Sequence, residues 1–80
     1  MPQITVYSRP NCQPCRMTIR QLEKLGAPYV KVDVTEDSEA AERIKALGYL
    51  QAPVVVVGDE HWSGFKPQKI AWAAQHVADS

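Results

Sequence analysis

Cys12-Gln13-Pro14-Cys15 holds both cysteines of the chain, at the point where a strand-like run gives way to a helix-like one. Two thiols this close can join in a disulfide and be released again, so the pair can store and hand over two electrons. On one side, Gln3-Ile4-Thr5-Val6-Tyr7 alternates and is rich in β-branched residues, the pattern of a strand. Ser8-Arg9-Pro10-Asn11 carries turn chemistry and reads as a loop. On the other side, Cys15, Thr18, Ile19, Leu22 and Leu25 fall on one face of a helix that starts at Cys12. Gly26 is suited to end that helix, and Pro28 prevents its continuation.

Further out, Tyr29-Val30-Lys31-Val32-Asp33-Val34 reads as a second strand. Strand, helix and strand in so short a span make a βαβ unit with parallel strands and a right-handed crossover. Asp37 or Ser38 can cap a second helix from Glu39 to about Leu47, with Ala40, Ile44 and Leu47 apolar and Gly48 ending it. Glu39 and Arg43 are spaced for a minor i,i+4 pair. Val54-Val55-Val56-Val57 has no polar alternation, which predicts a central strand covered on both faces. Gly58-Asp59-Glu60 turns the chain into a short strand around His61-Trp62. Pro67 opens a third helix whose inward residues are Ile70, Ala73, Ala74 and Val77. The order β-α-β-α-β-β-α, with the dithiol at the first β-α junction, resembles the thioredoxin fold. The expectation is an α/β domain over residues 1–80, with a four-stranded mixed sheet and three helices.

Composition supports a small carrier. Eighty residues suffice for one domain with a single core. Lys+Arg and Asp+Glu number 9 each, so there is no bulk charge to recruit nucleic acid or a membrane. Locally the charge is uneven. Arg9, Arg16, Arg20 and Lys24 stand against Glu23 alone, whereas Asp33, Glu36, Asp37, Glu39 and Glu42 form an acidic run. The thiols therefore lie in the positive segment. Arg20 and Lys24 read as a solvated helix face, while Arg9 and Arg16 flank the sulfurs and are placed to favour a thiolate. No run approaches the ~18 apolar residues of a membrane span, and Met1-Pro2-Gln3-Ile4 does not open a signal peptide. The expected location is the reducing cytoplasm, where such a pair cycles rather than staples. With His61 and His76 far along the chain, a zinc finger cannot be assembled, and no metal site is expected.

A helix N-terminus presents unpaired N–H groups and about half a positive charge. Cys12 there would have its thiolate favoured, bringing its pKa toward neutrality, where an attacking thiol works best. Cys15, one turn further in, should be the less exposed thiol. Cys12 is then the attacker and Cys15 the residue that resolves the mixed disulfide. Pro14 loses little by lacking an N–H at this position and holds the sulfurs in a defined geometry. Gln13 is expected to be exposed and to touch partners. Pro53, directly before the valine strand, raises the question of a cis bond, which only about 5–6% of X–Pro bonds adopt.

Three stretches carry a resemblance to the glutaredoxin/thioredoxin superfamily, and more closely to the NrdH-redoxins: Val6–Cys12 with Cys15; Leu47-Gly48-Tyr49-Leu50-Gln51-Ala52-Pro53-Val54-Val55-Val56; and Trp62-Ser63-Gly64-Phe65-Lys66-Pro67. The resemblance implies a monomeric cytosolic dithiol carrier with no bound cofactor. It would supply electrons to the large subunit of class Ib ribonucleotide reductase and be recharged from NADPH by thioredoxin reductase. It also implies a cis Ala52-Pro53 bond that sets the Ala52 backbone beside Cys12, to pair with a substrate strand. Two departures stand out. The family usually has Gln third in its motif, whereas Gln13 precedes Pro14 here, as in thioredoxin itself. The first strand also lacks thioredoxin's carboxylate for deprotonating Cys15, and Glu23 lies too far along the helix to replace it. Glutaredoxins that bind glutathione resemble one another in a Gly-Gly pair followed by Asp near the third helix. Here Ser63-Gly64-Phe65-Lys66 has one glycine and no acid follows until Asp79, so poor glutathione recognition is expected. Trp62 and Phe65 are either core aromatics or, with Ser63 and Gly64, an apolar platform for partners. The rival readings are a glutathione-linked glutaredoxin and a metal or iron–sulfur module using Cys12 and Cys15 from two chains.

Overall fold

The computed structural model describes residues 3–78. Met1 and Pro2 of the leader reading and Asp79 of the glutathione reading lie outside them. The elements are β1 (Ile4–Ser8), α1 (Gln13–Lys24), β2 (Tyr29–Asp33), α2 (Ser38–Ala46), β3 (Val54–Val57), β4 (Glu60–Ser63) and α3 (Pro67–Ala78). The sheet runs β2-β1-β3-β4. β1 pairs parallel with β2 and antiparallel with β3, and β3 pairs antiparallel with β4. This is the expected mixed four-stranded sheet with three helices.

The period-2 alternation of the strands decides the layers. Ile4, Val6, Val55, Val57 and Trp62 face Leu22 of α1 and Ile70 and Ala73 of α3. Tyr7 and Val54 face Ala40 and Ile44 of α2. A strand of four valines between two covered faces needs no polar alternation, which is what the sequence pattern anticipated. Gly58-Asp59 alone makes the β3–β4 turn, since Glu60 already pairs with Val57.

The ends of α1 and α2 differ in detail from the periodic reading. Leu25 and Leu47 are helix caps and stand exposed, because each helix stops in the same hydrogen-bonded turn. Gly26 N–H donates to the Glu23 carbonyl and Ala27 N–H to that of Leu22. Gly48 N–H donates to Lys45 and Tyr49 N–H to Ile44. Each turn needs a left-handed residue, which glycine supplies at φ +70° and +94°. The second turn matters most for the site, since it launches the loop from Gly48 to Pro53.

Candidate active site

The site is built from the first β-α junction and that loop. Asn11 takes φ +57°, a left-handed value asparagine tolerates, and turns the chain from β1 toward α1. Cys12 caps α1 in extended conformation, and Cys15 N–H donates to its Sγ at 3.2 Å. The cap is thus a sulfur at the positive end of a helix whose first turn carries no acidic residue. Once the disulfide is reduced, this geometry favours a thiolate at Cys12. Cys12 and Cys15 form a disulfide with their Cα atoms 5.2 Å apart, so no backbone movement is needed to join them. Pro14 stands in the first turn, where a missing N–H is harmless. Its carbonyl accepts a hydrogen bond from the fully buried Thr18 hydroxyl at 2.9 Å.

The Ala52-Pro53 bond is cis. The Ala52 carbonyl oxygen lies 3.9 Å from Cys12 Sγ, and the Pro53 carbonyl accepts from Gly64 N–H at 2.9 Å. Gly64 has φ +84°, a value that favours glycine. The three stretches singled out in the sequence therefore meet: the dithiol, the cis-proline loop and the Trp62–Phe65 run.

A glutaredoxin family model matches residues 4–62. The glutaredoxin-like protein NrdH of Escherichia coli is 43% identical over 68 residues, 85% of this chain and 84% of that protein. The NrdH of Lactococcus lactis is 32% identical over 85% of this chain and 94% of its own. The solved structure of the E. coli NrdH-redoxin superposes with a TM-score of 0.85 at 41% identity, covering 88% of this chain and 92% of that one. The chain belongs to the glutaredoxin family, in its NrdH-redoxin branch.

As an NrdH-type, glutaredoxin-like thiol redox protein it carries its redox-active pair at Cys12 and Cys15, and its other predicted site residues divide. In the disulfide form both cysteines are buried, at 4% and 2% exposure, so the expected contrast in access is nearly absent. The reason is geometric: Cys12 Sγ is hemmed in by Cys15, its N–H and the Ala52 carbonyl. Gln13 is exposed as expected, and its Oε1 accepts from Arg16 Nη2 at 3.0 Å. Arg16 is thereby turned along the helix surface. Among the described residues no hydrogen bond joins Arg9 or Arg16 to either sulfur, so any help to the thiolate comes through their field. Trp62 corrects the platform reading. At 3% exposure it is a core residue between the sheet and α3, with Lys69 Nζ 5.8 Å above its ring. Phe65 is half-buried against the same core, and Ser63 and Gly64 are half-buried beside it.

Glu23 is engaged elsewhere, accepting from the Tyr29 hydroxyl at 3.0 Å. Burial first, and then this bond and the carboxylate charge, push the Tyr29 phenol above its ordinary value. Three features escaped the sequence reading. Ser8 ends β1 as a buried hydroxyl that no described residue hydrogen-bonds. The Tyr49 hydroxyl meets His61 Nδ1 at 2.7 Å, tethering the cis-proline loop to β4. Leu50, in the same loop, is 88% exposed. Only the last left a sequence signal, an apolar residue in a loop beside the proline. Among the described residues no helix is long and apolar enough to cross a membrane.

Proposed function

We propose that this chain is a cytoplasmic protein-disulfide reductant that supplies electrons to class Ib ribonucleotide reductase through its large subunit and is recharged from NADPH by thioredoxin reductase. The observation that carries the reading is the Cys12 sulfur at the α1 N-terminus with the Ala52 carbonyl of the cis-proline loop 3.9 Å away. The E. coli NrdH-redoxin is described as having a thioredoxin-like activity profile, and Pro14 stands in the thioredoxin position of the motif here.

The chemistry is two exchanges. The Cys12 thiolate attacks one sulfur of the partner disulfide; a bond forms between them, the partner S–S bond breaks, and the departing sulfur takes a proton. Cys15 then gives up its proton and attacks Cys12 Sγ. The Cys12–Cys15 disulfide forms, the mixed disulfide breaks, and the second partner sulfur is protonated. Two electrons and two protons reach the partner. The Ala52 backbone is placed to align the partner segment, and Gly64, through Pro53, holds that backbone. Gln13, Arg9 and the exposed side of Phe65 offer contacts around it.

The test is NADPH consumption by the oxidised protein with thioredoxin reductase, set against glutathione plus its own reductase. Rapid turnover with the first and little with the second is expected. The reverse would make this a glutathione-linked glutaredoxin.

A further inference from the structure

The rim around Cys12 is polarised. On the α1 side, Arg9, Arg16 and Arg20 are all exposed, and among the described residues none is paired with a carboxylate. A shallow surface groove of about 170 Å³ lined by Gln13, Arg16, Met17 and Arg20 leads away from the dithiol. Met17 gives it an apolar floor, 41% exposed. The one carboxylate in this stretch, Glu23, lies at the other end of α1 and is occupied by Tyr29. On the other face of the sheet, where α2 packs, Asp33, Glu36, Asp37 and Glu39 outnumber Lys31 around one depression between β2 and α2. The cis-proline loop precedes β3, on the side of β1 away from those acids. It presents Leu50, whose 88% exposure is the highest of the large apolar side chains among the described residues.

We propose that the segment this dithiol reduces is an extended, acidic stretch of a partner protein, anchored on Leu50 at one end, crossing Cys12, and laid along the Gln13–Arg20 face of α1 at the other. This rests on the reading of Cys12 and Cys15 as a protein-disulfide reductant and names the class of segment that it takes. An acidic segment is drawn to the arginines of α1 and repelled from the acids on the α2 face, so charge favours one direction across the sulfurs. A compact folded surface could not follow both Leu50 and the α1 groove. An extended chain can, with its backbone beside Ala52 and alternate side chains reaching the two rims.

The test uses the whole protein and short synthetic peptides that share one internal disulfide and one apolar residue. They differ only in whether the flanking residues are acidic, neutral or basic. Second-order rate constants for reduction are measured alongside a small neutral disulfide, hydroxyethyl disulfide. At low ionic strength the acidic peptide should react about tenfold faster than the basic one, the lower end of what field steering supplies. At about 0.5 M salt, where screening shortens the reach of exposed charges to a few ångströms, the advantage should shrink to about twofold. Combining Arg16→Gln with Arg20→Gln should collapse the acidic-to-basic ratio. The ratio is the readout because it cancels any change in thiolate fraction. Leu50→Ser should slow the acidic peptide about three- to tenfold, the effect of losing partial burial of one leucine.

Equal rates for the acidic and basic peptides at low salt, with hydroxyethyl disulfide still reduced, would overturn the proposed partner class and leave the reductant reading in place. A ratio that survives in the double variant would overturn it as well. Failure to reduce any peptide or the small disulfide would instead sink the reductant reading, and this proposal with it.

Discussion

Phe65→Ala separates the two roles that an aromatic beside this site can have. The ring is half-buried against the cluster of Leu22, Trp62, Ile70 and Ala73, and its other side lines a shallow depression of about 360 Å³ with Lys66, Pro67, Gln68 and Lys69. A fully buried phenylalanine costs about 3–5 kcal/mol when truncated, so a half-buried one should cost about 2 kcal/mol. In a domain of 80 residues each kcal/mol moves the melting temperature by about 4–8 °C, so a fall of about 8–16 °C is expected. The exposed half of the ring offers about half of an aromatic anchor, or about 1 kcal/mol of partner binding, which is roughly a fivefold loss of kcat/KM with thioredoxin reductase. The Cys12–Cys15 potential should be unchanged, since the ring packs on the core rather than on the sulfurs. Thermal melting of the oxidised protein and reductase kinetics on the same variant read both quantities. A melting temperature within about 3 °C of the parent would show that the ring contributes little to the core and would refute this division. Lost stability with unaltered kinetics would remove Phe65 from the partner surface.

Cys15→Ser should still attack a target disulfide and then stall as a mixed disulfide through Cys12, while Cys12→Ser should form no adduct; mass spectrometry decides, and a stable adduct on Cys12→Ser would reverse the roles. The Cys12–Cys15 couple is expected at roughly −230 to −280 mV, between glutaredoxin and thioredoxin values. Equilibration with dithiothreitol or glutathione buffers measures it, and a value near about −120 mV, that of a disulfide-forming oxidant, contradicts the reductant role. Asp33 is held below the ordinary carboxylate range first by the Thr35 hydroxyl and then by the Thr35 N–H, both on Oδ1. A depressed pKa contributes stability that is present above the unfolded value of about 3.9 and is lost as pH falls through the folded one. The melting-temperature gap between the parent and Asp33→Ala should therefore narrow below about pH 4; parallel curves down to about pH 2 would contradict the assignment.

Much of this molecule is local, and the local part was legible. Element types, the start of α1 at Cys12, a cap for α2 at Asp37 or Ser38, and the stops at Gly26 and Gly48 follow from side-chain period and from φ preferences, which act within a few residues; the structure chose Asp37. The dithiol, its place at a helix start and the positive segment around it need no more than that. The exposure of Leu25 and Leu47 shows where periodicity ends: a helical pattern does not say which residue is the last to face the core.

What the tertiary structure decided is everything that depends on strand order. Cys12 and Ala52 are 40 residues apart, and they meet because β3 pairs with β1, which sets the start of β3 beside the end of β1. The pairing of β4 with β3 brings Gly64 to Pro53 and sets in the core Trp62, whose role sequence alone left open between core and surface. Burial of an aromatic is set by what packs over it, here α3 through Ile70 and Ala73, and not by the residue itself. The Tyr49–His61 contact and the exposure of Leu50 have the same origin. A loop's side chains take their surroundings from the strands that the sheet places next to them, and local sequence carries no record of that choice.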